Sequence, residues 1–114
     1  MSIVIYHNPN CTKSRASLAL LEEKGLQLEV IEYLKTPPTA AELDVILSKL
    51  GKEPAEFVRT GEDAYKEHML GKNLSRAEAI ALMVQYPMLI ERPVVVNGDK
   101  AAIGRPPENI LAIL

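Results

Sequence analysis

The chain opens on a β-branched and aromatic run, SIVIY at residues 2–6, that breaks at His7-Asn8-Pro9-Asn10, where Asn and Pro signal a turn. This predicts a first strand. From Cys11 to Lys24 the apolar residues, Leu18 and Leu21 among them, return at helical spacing until Gly25, which predicts a helix with a glycine stop. Residues 28–34, LEVIEYL, alternate apolar and acidic positions ahead of Pro37-Pro38, as in a strand with one wet face. Strand, helix and strand make a βαβ unit. Thr39 and Glu42 then form a capping box ahead of Leu43, Ile46, Leu47 and Leu50, with Gly51 as the stop. A second box, Ser75 with Glu78, opens a helix through Ala79, Ile80, Met83 and Val84 that must end near Pro87. Residues 54–72 between them read as short helices and loops. The segment PVVVNGDKAAIG, residues 93–104, reads as two strands joined at Asn97-Gly98, and Pro106 and Pro107 start a last helix.

The order is βαβ, a helical block, then ββα. It predicts an α/β fold with a mixed four-stranded sheet, two strands parallel and two as a hairpin, in the thioredoxin-like (glutaredoxin-like) layout. Residues 1–114 form one domain on this reading, with a helical insertion at about 39–87. The final hairpin decides this, since helical packing alone would not predict a sheet that resumes so late.

Composition narrows the function classes. The 114 residues are 47% apolar and 25% charged, and no apolar run approaches the roughly 18 residues of a membrane span. The formal net charge of -2 and pI of about 5.7 lack the basic footprint of a nucleic-acid binder. No nucleic-acid or membrane partner is expected. The N-terminus has no basic segment before its apolar run, so it reads as a strand and not as a secretion signal. The single cysteine cannot form an internal disulfide, and a lone thiol is safest in a reducing compartment. A cytoplasmic monomer is expected.

That cysteine carries the chemistry. Cys11 lies past a strand and at a helix start, where unpaired amides and the helix dipole favour a thiolate. A free cysteine is more commonly a buried apolar filler. A filler, however, has no need of Asn-Pro-Asn before it and Thr, Lys, Ser and Arg after it. Lowering a thiol pKa also lowers its nucleophilicity, with a Brønsted slope of about 0.4–0.5, so activation alone returns little rate. Most of the catalytic power must come from holding an electrophile beside the sulfur. His7 is placed to orient or stabilise the thiolate across the loop, or else is a capped surface histidine. Ser14, one helical turn on, can donate to the sulfur or be an ordinary first-turn serine. Lys13 and Arg15 read as solvent-facing.

Three arginines stand at junctions: Arg92 before Pro93, Arg105 before Pro106, and Arg59 in the loop FVRTG. A following proline restricts the backbone, so Arg92 and Arg105 can be aimed, and guanidinium forks match tetrahedral oxyanions. Singly each is an ordinary surface cation; converging on Cys11 they make a site. No metal site is read from the sequence.

HNPNCTKSR near the N-terminus, ERP at 91–93 and GRPPE at 104–108 together resemble the glutaredoxin-dependent arsenate reductase family, nearly end to end. The resemblance implies a thioredoxin-like fold with a helical insertion and makes Cys11 the nucleophile toward arsenate. It implies His7 as the residue that favours the thiolate, Ser14 as its hydrogen-bond neighbour, and Arg59, Arg92 and Arg105 as the anion clamp. It also puts Arg92-Pro93 where thioredoxin-like folds carry a cis-proline, making Pro93 the candidate. Reducing arsenic from +5 to +3 takes two electrons, and two thiols supply them when they end as a disulfide. This chain has one, so an outside thiol is required. The resemblance implies glutathione as co-substrate with glutaredoxin as partner, and no bound cofactor.

Rival readings are separable. A cysteine phosphatase, or a reductase built on the phosphatase loop, places arginine six positions after its cysteine, where this chain has Ser17. Spx-like regulators share the fold and the Arg-Pro element but switch through Cys-x-x-Cys, and the second position here is Ser14. A non-enzymatic stress-related or regulatory protein on the same scaffold is the alternative to the enzyme. A general glutathione-dependent oxidoreductase would leave the arginines without a task.

Overall fold

The computed structural model describes residues 2–114. Its sheet has four strands: β1 (Ile3–His7), β2 (Leu28–Glu32), β3 (Val94–Asn97) and β4 (Lys100–Ile103), in the order β2-β1-β3-β4. β1 and β2 are parallel, joined by helix α1 (Thr12–Glu23), while β3 runs antiparallel to both β1 and β4. This is the mixed, thioredoxin-like sheet that the element order predicts. The chain divides into two compact units, one made of the segment up to Thr36 with Arg92–Leu114 and the other of Pro37–Glu91.

In the sheet-bearing unit, alternation along β1 sends Ile3, Ile5 and His7 to one face. Ile3 and Ile5 pack there with Leu21 of α1, Val95 of β3 and Ile110, supported by Leu18, Leu20, Leu26, Leu28, Ala102 and Ile113. Each fully buried Ile or Leu contributes about 1.5–3 kcal/mol. The face α1 buries is not purely apolar: Ser14 and Ser17 are fully buried along with Leu21. Two small side chains let the helix start lie close to the sheet.

Three sequence expectations change in detail. β2 ends at Glu32 and not at Leu34, because the amides of Lys35 and Thr36 both return to the Glu32 carbonyl at 2.9 Å and turn the chain. The hairpin closes one residue later than expected. Asn97 pairs with Lys100, so the turn is Gly98-Asp99, and the positive φ of Gly98 (63°) beside an ordinary Asp99 suits a type II′ turn. The last helix, Pro107–Ile113, is a 3-10 helix, and Pro106 ahead of it is extended. Its three-residue repeat stacks Pro107, Ile110 and Ile113 in one row, which buries Pro107 and Ile110 and packs Ile113 against the core.

The second unit is helical. α2 (Ala40–Leu50) begins with the Thr39/Glu42 capping box, ends at Gly51 with φ 68°, and buries Leu43, Ile46 and Leu47. α3 (Pro54–Phe57) and α4 (Asp63–His68) are short, as the 54–72 pattern suggests. α5 (Arg76–Gln85) opens with the Ser75/Glu78 box, buries Ala79, Ile80 and Met83, and stops before a 3-10 turn at Pro87–Leu89. Arg76 ties α5 to Asp44 of α2 at 2.7 Å and to Glu53 at 3.3 Å. No helix among the described residues is long and apolar enough to cross a membrane.

Candidate active site

Strand β1 delivers the chain into a tight turn. The Cys11 amide donates to the Asn8 carbonyl at 3.0 Å, the Asn10 amide donates to Asn8 Oδ1 at 3.0 Å, and Arg15 Nη1 holds the Pro9 carbonyl at 2.9 Å. Cys11 then caps α1 in an extended conformation (φ -102°, ψ 123°) and is 9% exposed. Its sulfur makes no regular cap hydrogen bond, yet the Ser14 and Lys13 amides lie close enough to favour negative charge on it. Burial pushes the thiol up. The Ser14 amide, the Arg92 charge, the Lys13 amide and a hydrogen bond from Arg105 together outweigh it and bring Cys11 below the ordinary cysteine value.

The arginines reach this place through strand register. β1 pairs with β3 at Tyr6↔Val94, and β3 pairs with β4 at Val94↔Ile103. Extending both ladders, Arg92 and Arg105 fall at the same end of the sheet as the exit of β1, although the hairpin separates them in sequence. The Gly104 amide continues the pairing by donating to the Pro93 carbonyl at 3.0 Å. Arg105 Nη1 lies 3.7 Å from Cys11 Sγ and 3.5 Å from the Arg92 carbonyl oxygen. Arg92 is half-buried, Pro93 is buried, and the Arg92–Pro93 and Arg105–Pro106 bonds are both cis.

His7 and Ser14 form a second layer under the sulfur. Both are buried, and His7 Nδ1 and Ser14 Oγ are hydrogen-bonded at 2.6 Å, while the Asn8 amide donates to the same hydroxyl oxygen at 2.9 Å. Burial lowers the His7 pKa, against the pull of Glu32, which raises it. A neutral imidazole is favoured. The Ser14 hydroxyl is thus engaged with His7 and Asn8, and it is the Ser14 amide that favours the thiolate. Charge for the thiolate comes from arginine and helix amides, and His7 braces the turn.

The structure gathers Cys11, His7, Ser14, Arg92 and Arg105 in the sheet-bearing unit. Arg59 belongs to the helical unit, where its amide donates to the Leu89 carbonyl at 2.9 Å, its guanidinium donates to the Met88 carbonyl at 3.4 Å, and Glu62 pairs with it at 3.7 Å. Lys13 and Arg15 are exposed. Asn8 was not singled out from the sequence, though its amide, carbonyl and side chain all shape the turn; an Asn preceding Pro in a strand-to-helix loop is the signal for it. Among the described residues no three His, Cys, Asp or Glu side chains gather as a metal site would require.

A buried, stabilised thiolate beside a guanidinium can attack an electrophilic oxyanion and hold the adduct's charge. The ArsC family model matches residues 6–113. An arsenate reductase of Haemophilus influenzae is 48% identical over 116 residues, covering 100% of both chains. One of Neisseria meningitidis serogroup A is 48% identical, covering 98% of this chain and 97% of its own. A solved structure of an arsenate reductase from Vibrio cholerae superposes with a TM-score of 0.95 at 49% identity, over 100% of this chain and 98% of that one. On sequence and on structure alike, the chain belongs to the ArsC family.

Proposed function

We propose that this protein is an arsenate reductase in which Cys11 is the nucleophile and glutathione and glutaredoxin supply the remaining thiols. The observation that carries the reading is the sulfur itself, buried at the N-terminus of α1 with Arg105 Nη1 at 3.7 Å and the Arg92 charge lowering its pKa. The full-length similarity to arsenate reductases supports the substrate.

The proposed cycle balances. The Cys11 thiolate forms a sulfur–arsenic bond while one arsenate oxygen leaves as water. A glutathione thiol then displaces a second oxygen as water, giving an arsenic atom that bears both sulfurs. A glutaredoxin thiolate attacks the glutathione sulfur; the glutathione–arsenic bond breaks, and its electron pair stays on arsenic, which falls from +5 to +3. Water releases arsenite and returns Cys11 as a thiol. Glutathione and glutaredoxin leave as the mixed disulfide, having given the two electrons. Arg92 and Arg105 neutralise the oxyanion and its adduct, and removing one such donor costs about 10²–10³ in rate where the role is oxyanion stabilisation. Arg59 enters the proposal on the family resemblance, and its alanine variant tests it. One chain suffices for the cycle, and the cytoplasm provides the thiols.

The test follows arsenate-dependent NADPH oxidation with glutathione, glutaredoxin and glutathione reductase. Wild type is expected to run above the blank and Cys11→Ser to fall to it. A wild-type rate at the blank, or an undiminished Cys11→Ser, refutes the proposal.

A further inference from the structure

Gly104 stands immediately before Arg105, and what its missing side chain makes room for is unusual in this chain. A Cβ there would overlap the Ser17 hydroxyl and lie 2.8 Å from Pro93 Cγ and 3.2 Å from Ser17 Cβ. At Gly25, Gly51 and Gly71 a Cβ meets nothing within 4 Å, and those glycines have a positive φ, which Gly104 lacks. They serve backbone conformation; Gly104 serves closeness. Neither neighbour yields easily. Ser17 is 0% exposed in the second turn of α1, and Pro93 is a fully buried ring. The Ser17 hydroxyl has no hydrogen-bond partner among the described residues, so the contact is one of shape.

Gly104 is also held by its amide, which donates to the Pro93 carbonyl at 3.0 Å. Its backbone is therefore fixed between α1, which Cys11 caps, and the residue that follows Arg92. Arg105 leaves this clamp with Nη1 at 3.7 Å from the Cys11 sulfur. We infer that Gly104 is a positioning residue of the thiol site: the absence of a Cβ lets the end of β4 close on α1, and that closeness sets the reach of Arg105 to Cys11. A misplacement of about 1 Å in such a group is enough to cost about 10²-fold in rate.

The test measures iodoacetamide alkylation of Cys11 in the full chain as a function of pH, which needs no arsenate and so stands apart from the proposed function. Gly104→Ala is expected to move the profile to higher pH, in the same direction as Arg105→Ala. Added to Arg105→Ala it is expected to move the profile less than it does alone, because the arginine it positions is gone. Combining Ser17→Ala with Gly104→Ala is expected to recover part of the shift, since the hydroxyl overlap is relieved while the Pro93 contact remains. Should Gly104→Ala fail to fold, Ser17→Thr crowds the same gap from the helix side, with the same expected shift. A folded crowding variant with a wild-type profile, or shifts of Gly104→Ala and Arg105→Ala that add in full, overturns the inference. In the arsenate assay the same variant is expected to lose about tenfold or more in kcat/KM. If wild type reduces no arsenate while the alkylation cycle behaves as described, the proposed function falls and the positioning role stands.

Discussion

Ser14 and Ser17 sit three residues apart on the same helix, both 0% exposed, yet replacing Ser14 by alanine should cost stability while the same change at Ser17 should not. The helix-propensity gain, a few tenths of a kcal/mol in favour of alanine, is common to both and cancels in the comparison. The Ser14 hydroxyl serves two partners, His7 Nδ1 at 2.6 Å and the Asn8 amide at 2.9 Å. Ser14→Ala strands the buried His7 Nδ1, at about 1–3 kcal/mol, and the partly buried Asn8 amide, at somewhat less, so a net loss of about 2–4 kcal/mol follows. Ser17 Oγ is buried without a partner among the described residues, so Ser17→Ala removes a desolvated hydroxyl and leaves nothing stranded. It should be neutral or stabilising by about 0.5–2 kcal/mol. Against the roughly 5–15 kcal/mol that holds a domain folded, the difference is large. Equilibrium urea unfolding followed by far-ultraviolet circular dichroism reads it directly, with equal m-values as the check that the denatured states match. Losses of the same sign and similar size in both variants would refute the hydrogen-bond assignment.

Three further outcomes are expected. Arg105→Ala should lower kcat/KM for arsenate by about 10²- to 10³-fold, the cost of removing one donor to an oxyanion, and Arg105→Lys should recover only part, since an ammonium lacks the fork; full recovery by lysine would mean that charge alone is used. The pH profile of Cys11 alkylation should rise below the range of an ordinary cysteine, and Arg92→Ala should displace it upward further than Arg105→Ala, because the Arg92 charge lowers the thiol pKa more than the Arg105 hydrogen bond does; the reverse order contradicts the electrostatics. His7 is held below its ordinary value of 6.5 by burial, so the unfolded chain binds the proton first and stability should fall as pH drops below about 6.5, levelling once native His7 also protonates. Urea midpoints between about pH 5 and 7.5 should therefore flatten in His7→Asn, and a variant with the wild-type slope would place the dependence elsewhere.

Local signals in the sequence were enough wherever a few neighbouring residues satisfy one another. The boxes Thr39/Glu42 and Ser75/Glu78 join residues three apart, and Gly51 takes a positive φ that its own missing Cβ permits, so helix ends were legible without the fold. The same holds for Cys11 as the residue that caps α1 and for the hairpin that brings β3 and β4 together. The hairpin's register was legible only to within one residue, because Asn97-Gly98 and Gly98-Asp99 are both good turn pairs and the choice belongs to Asn97↔Lys100 pairing across the strands.

What only the tertiary structure decided are the contacts between residues distant in the chain. Arg92 and Arg105 were visible as arginines before prolines, but their meeting at one end of the sheet follows from two strand registers. For His7 the sequence leaves open a residue that orients the thiolate or a capped surface histidine, and only the structure gives its burial and its Nδ1 bond to Ser14, because the alternation of β1 turns it toward α1. Gly104 ends the segment that reads as the hairpin, and only the approach of Ser17 and Pro93 shows that a side chain there has no room. Propensity and capping act within a few residues, whereas a site that must hold charge in a dry place is assembled by register and packing, which no short stretch of sequence contains.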